Sequence, residues 1–88
     1  MKTDEAQFLI DIYEKCKDSS LSPRDVINES DFYMHPKRAW YILSKWSKKD
    51  WYGWGVTLDL GWLTANGIQK AKNLLNGGRS NDAEANNY

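Results

Sequence analysis

The stretch from His35 to Lys49 carries five cations, Lys37, Arg38, Lys45, Lys48 and Lys49, and no acid. Laid on a helix at about 100° per residue, Lys37, Arg38, Tyr41, Lys45 and Lys48 fall on one side with Ser44 beside them. Ala39, Ile42, Leu43 and Trp46 fall on the other, and Trp40 and Ser47 lie on the boundary. The chemistry open to such a strip is recognition of a phosphate polymer. Lysines neutralise phosphates, Arg38 can pair with a guanine edge, and Tyr41 can bond a phosphate or stack on a sugar. An ordinary solvated helix face is the competing reading. The charge balance favours it, because twelve Lys plus Arg are matched by twelve Asp plus Glu.

Catalysis has no comparable foothold. His35 is the one histidine and Cys16 the one cysteine, so neither a disulfide nor a zinc site can be assembled. No carboxylate pair, serine triad or phosphate-cradling glycine loop is present. Gly53-x-Gly55 lies within a candidate strand and precedes no helix, which excludes a dinucleotide fingerprint. The expectation is a protein without enzymatic activity, cofactor or metal. Cys16 is expected to fill space on a helix, and His35 to sit at a helix start with its ring either packed locally or bonded to a backbone group.

The elements that must position the basic strip can be read from periodicity and punctuation. Thr3 to Lys17 reads as a first helix, capped by Thr3, with Asp4 and Glu5 at the positive end of its dipole. Ala6, Leu9, Ile10 and Tyr13 form its buried stripe, with Cys16 at the edge, while Phe8 and Ile12 form a second stripe. After a connector at Asp18-Ser19-Ser20-Leu21, Ser22-Pro23-Arg24-Asp25 is a strong helix start, and the second helix runs to about Glu29 with Val26 and Ile27 inward. Phe32 and Met34 are expected to pin the following turn to the core. Pro36 opens the third helix, which reaches about Lys48.

From Asp50 onward, Trp51-Tyr52-Gly53-Trp54-Gly55-Val56 and Leu60-Gly61-Trp62-Leu63 read as a hairpin turning at Thr57-Leu58-Asp59. Alternation puts Tyr52 and Trp54 on one packed stripe and Trp51 at the junction with the helices. Thr64 caps a last helix with Ile68, Ala71, Leu74 and Leu75 on one side, ended by Asn76-Gly77-Gly78. One domain over 1–77 and a flexible tail over 78–88 are expected. With a charged opening and no long apolar run, the protein is expected to be soluble, cytoplasmic and without membrane contact. Acids crowding the first segment and cations crowding the third predict separate acidic and basic faces.

The order helix, short helix, basic helix, aromatic hairpin, helix resembles the winged helix-turn-helix family. Trp62-Leu63-Thr64-Ala65-Asn66-Gly67-Ile68 looks like the wing end and Leu-Thr-x-x-Gly helix entry of MarR-like and PadR-like regulators. The resemblance covers roughly residues 3 to 76. It implies a mainly α winged helix (α-α-α-β-β-α) that binds double-stranded DNA as a transcription regulator, with helix 36–48 in the major groove. It also implies that Lys37, Arg38, Tyr41, Ser44, Lys45 and Lys48 are the DNA-binding residues, and that the wing contacts through Trp54 and Thr57. The turn before the third helix departs from the family in being longer and lacking glycine. Symmetric pairing through helix 3–17, using the Phe8 and Ile12 stripe, would double the DNA site. The rival expectation is a protein-interaction module, an adaptor or inhibitor of the kind carried by mobile elements, that uses the aromatic hairpin 51–63 as its contact surface.

Overall fold

A computed structural model describes residues 2–17 and 21–76. The Asp18-Ser19-Ser20 connector, the glycines expected to end the last helix and the tail over 78–88 lie outside the described residues. Among the described residues, four α-helices and one small antiparallel sheet follow in the order α1 (Thr3–Cys16), α2 (Pro23–Glu29), α3 (Pro36–Lys48), β1 (Tyr52–Gly53), β2 (Trp62–Leu63) and α4 (Ala65–Leu75). A 3-10 turn, Leu58–Leu60, interrupts the connection between the strands. No helix among the described residues is long and apolar enough to cross a membrane.

The core is where the three first helices meet. Phe8, Leu9 and Ile12 of α1, Val26 and Ile27 of α2, and Ala39, Ile42, Leu43 and Trp46 of α3 are all buried, and Met34, Tyr52 and Ala71 close the cluster. Phe8 stacks on Trp46 with ring centroids 5.6 Å apart. This corrects the expectation for α1. Phe8 and Ile12 are interior residues, whereas Ala6, Ile10 and Tyr13 are only half-buried, so the stripe assigned to a second copy is consumed within the chain. The pairing surface proposed for helix 3–17 loses its basis. The reason is phase: Glu5, Phe8, Leu9 and Ile12 repeat at three and four residues as faithfully as the stripe that was chosen.

The helix boundaries follow local chemistry. At α2, Ser22 and Asp25 form a reciprocal capping box, with the Ser22 backbone N–H donating to Asp25 Oδ2 at 3.0 Å. At α4, Thr64 Oγ1 accepts the Gly67 N–H at 3.2 Å. At α1 the cap position is Lys2, not Thr3, and it makes no side-chain cap bond. Beyond α3, Asp50 turns the chain with φ 62°, the left-handed conformation that aspartate tolerates better than most residues.

The hairpin is shorter than alternation suggested, with two residues in each strand and the register Tyr52 to Leu63 and Gly53 to Trp62. Its inner anchor is Tyr52, whose hydroxyl donates to the Leu58 carbonyl at 2.6 Å and accepts the Gly61 N–H at 3.0 Å. Burial pushes the Tyr52 phenol well above its ordinary pKa, so it holds its proton and both bonds. Trp54 does not share the packed stripe. It lies beyond the last paired residue and is 46% exposed. Phe32 is also corrected. Met34 anchors the turn after α2, but Phe32 is 84% exposed and meets only the Tyr33 ring edge-on among aromatic neighbours.

Candidate nucleic-acid interface

The basic helix α3 is anchored as its pattern demands, with Ala39, Ile42, Leu43 and Trp46 buried. Opposite them, Lys37, Tyr41 and Lys48 are exposed, Tyr41 at 61%, and Ser44 is half-buried between them. Trp40, on the boundary, is 41% exposed. His35 fixes the start of the helix, its Nδ1 accepting the Lys37 N–H at 3.1 Å. Of the two roles open to the ring, local packing or a backbone bond, this is the second.

Arg38 and Lys45 do not point freely outward. The Arg38 guanidinium donates to both oxygens of Asp4, at 2.6 and 3.0 Å. Lys45 Nζ donates to Glu5 Oε1 at 2.8 Å, and the Trp46 indole N–H takes the other oxygen at 2.9 Å. Spaced a heptad apart, Arg38 and Lys45 share the flank of α3 that turns toward the first turn of α1. The expected separation of an acidic from a basic face is thus corrected. The acids at the start of α1 neutralise two of the six residues assigned to DNA.

The electrostatics of these pairs follow from the geometry. The Arg38 hydrogen bond and charge hold the Asp4 carboxyl below its ordinary value, and Asp4 in turn raises Arg38. Burial works to raise Glu5. The hydrogen bonds from Lys45 and Trp46, with the charges of Lys45 and Lys49, outweigh it and leave Glu5 lowered. Both carboxylates are ionised at neutral pH, so neither cation is released by ordinary conditions.

In the hairpin, Thr57 is half-buried and its hydroxyl proton is engaged within the chain. Its hydroxyl donates to Asp59 Oδ1 at 2.7 Å, and Asp59 is gripped by Arg24 of α2 at 2.7 Å. The bend is thereby folded back onto α2, with Asp59 lowered chiefly by the Arg24 hydrogen bond. Trp54, Val56, Leu60 and Trp62 remain exposed in this region.

A second group of cations was not anticipated as a site. Lys2, Lys45, Lys49 and Lys70 surround Trp51, with Glu5, in an open cleft of about 560 Å3 between the start of α1, the end of α3 and α4. Lys49 Nζ lies 4.8 Å and Lys70 Nζ 5.7 Å from the centre of the Trp51 ring. The only sequence signal was the position of Trp51 at the junction, which is where it lies. Lys70 joins the group because Gly67 lets α4 approach closely: a Cβ there would stand 2.1 Å from the Trp51 carbonyl oxygen.

Among the described residues no three His, Cys, Asp or Glu side chains are grouped to hold a metal. No protein-family model, curated protein or solved structure matches the chain.

Proposed function

We propose that the chain is a winged-helix DNA-binding protein acting as a transcription regulator, with α3 in the major groove and the β1–β2 hairpin as the wing beside it. One observation carries the reading. The outward face of α3 presents Lys37, Tyr41, Ser44 and Lys48, none of them paired to an acid among the described residues, on a helix whose opposite face is locked into the core. A rod about 20 Å long with its polar side outward has the dimensions a major groove admits.

The binding set is narrower than the six residues first assigned. Lys37 and Lys48 supply phosphate contacts and Tyr41 and Ser44 supply hydroxyl donors. Arg38 and Lys45 enter only if DNA phosphates displace Asp4 and Glu5. With few free cations on this face of α3, its affinity for arbitrary DNA is modest, in keeping with equal numbers of acidic and basic residues. The test is an amide-shift titration with a mixed-sequence duplex at two salt concentrations, in which the largest shifts centre on Lys37 to Lys48 and shrink at the higher salt.

A second reading is favoured by the exposure of Trp54, Val56 and Trp62. Exposed aromatic side chains grouped on a hairpin suit a protein partner better than a phosphate backbone. On that reading the hairpin 51–63 is the contact surface of an adaptor or inhibitor. Trp54→Ala then abolishes function while Lys48→Gln leaves it intact.

A further inference from the structure

The cleft around Trp51 is built from three segments far apart in sequence. Lys2 precedes α1, Lys45 and Lys49 end α3, and Lys70 stands on α4. Its floor is fixed by backbone bonds. The Trp51 N–H donates to the Trp46 carbonyl at 2.9 Å, and the Trp51 carbonyl accepts the Thr64 N–H at 3.0 Å. The backbone that carries the indole is therefore held in place, and the Lys49 and Lys70 ammonium groups both lie over its ring.

The charge in the cleft is unbalanced. Among the described lining residues Glu5 is the one acid, and its oxygens are already taken by Lys45 and the Trp46 indole. That leaves Lys2, Lys49 and Lys70 with no acid paired to them among the described residues. Gathering like charges over one ring costs energy that a cation–π contact offsets only in part. An oxyanion removes the repulsion and accepts hydrogen bonds from several ammonium groups at once. A cleft of about 560 Å3 has room for a tetrahedral anion or a linked pair of them, and lysine serves well as a point-charge phosphate binder where no planar fork is required.

We propose that the cleft lined by Lys2, Lys45, Lys49, Lys70 and Trp51 is a phosphate-binding site. The ligand chemistry is the phosphate oxyanion, supplied by a nucleic-acid backbone or by a soluble diphosphate. The inference does not require that α3 binds DNA. Trp51 sets the floor, and Lys49 and Lys70 supply the principal charge.

Sodium pyrophosphate, titrated into the full chain against sodium chloride at matched ionic strength, tests the site through the Trp51 indole N–H and the Lys49 and Lys70 amides in nitrogen-edited NMR spectra. Expected is a saturable shift of the Trp51 indole with pyrophosphate alone, weakened roughly tenfold in Lys49→Gln/Lys70→Gln and unchanged in Lys37→Gln/Lys48→Gln. A parallel titration with a DNA duplex separates the sources. Movement of Trp51 by the duplex as well assigns the cleft to backbone phosphate, and movement by pyrophosphate alone assigns it to a soluble ligand. The site stands in both cases, and in the second the DNA reading of α3 is judged separately from the Lys37 to Lys48 shifts. A Trp51 response to pyrophosphate no larger than that to sodium chloride overturns the proposal, as does an undiminished response in a Lys49→Gln/Lys70→Gln protein that keeps native amide dispersion.

Discussion

The Glu5 carboxylate receives the indole N–H of Trp46 at 2.9 Å, joining the first turn of α1 to the last turn of α3 across 41 positions of sequence. The other Glu5 oxygen holds Lys45 at 2.8 Å, so one buried acid fixes the largest core side chain and one cation of the basic helix together. Removing it strands the indole N–H inside the core and releases Lys45.

Glu5→Ala is therefore expected to destabilise the fold by about 2–3 kcal/mol, the usual loss for a buried bond to a charged group. Urea unfolding followed by tryptophan fluorescence measures it. A loss under 0.5 kcal/mol, the scale of a neutral surface change, contradicts the structural role.

Asp4 acts more on binding than on stability. Its pair with Arg38 is about one-third exposed on both sides, where solvent screens the attraction, so Asp4→Asn should change stability little. Freed from its partner, Arg38 becomes available to phosphate. Duplex affinity is then expected to rise, with the slope of log K against log salt steeper by about 0.9 for the added contact. Fluorescence anisotropy across a salt series gives both quantities.

Acid should loosen the molecule in a defined window. Asp4, Glu5 and Asp59 all have folded-state pKa values below their ordinary ones, so the unfolded chain binds more protons between the two values. Their stabilisation is complete above the ordinary carboxylate range near pH 4 and is lost as pH falls through the folded values. Urea midpoints are expected to be flat from pH 7 to about 5 and to drop below about 4. Asp59→Asn, which also weakens the Arg24 anchor of the hairpin, should flatten part of that drop.

Gly67 provides a sign test of the packing. Alanine in place of a helical glycine normally stabilises by up to about 1 kcal/mol. Here the added Cβ would meet the Trp51 carbonyl oxygen at 2.1 Å, so Gly67→Ala is expected to destabilise by about 1–3 kcal/mol instead. Gly55→Ala, with nothing within 4 Å of the new atom, should be close to neutral. Thermal melts of the two variants decide the matter.

The sequence made some of this legible and hid the rest for physical reasons. Pro23 and Pro36 at helix starts, the Ser22 and Asp25 box and the Thr64 cap marked three of the four helix entries, because capping is local chemistry. The α3 seam was equally plain, since thirteen residues give its period room to repeat. In α1 two overlapping stripes competed, and only the packing of Phe8 on Trp46 decides between them. The partners of Arg38 and Lys45 were hidden for a different reason. Asp4 and Glu5 were visible as acids, but their helix-dipole role explained them locally, and nothing in the order of residues shows which flank of α3 crosses α1. Trp54 was misplaced because alternation was extended past the two residues that actually pair.

The central claim is that the face of α3 bearing Lys37, Tyr41, Ser44 and Lys48 is the one that meets DNA, and a residue-resolved amide-shift titration with a duplex at low and moderate salt tests it most directly. Shifts concentrated on Lys37 to Lys48 that weaken as salt rises and disappear in Lys37→Gln/Lys48→Gln are expected. Shifts confined to the hairpin around Trp54 and Trp62, or none at low salt, contradict it.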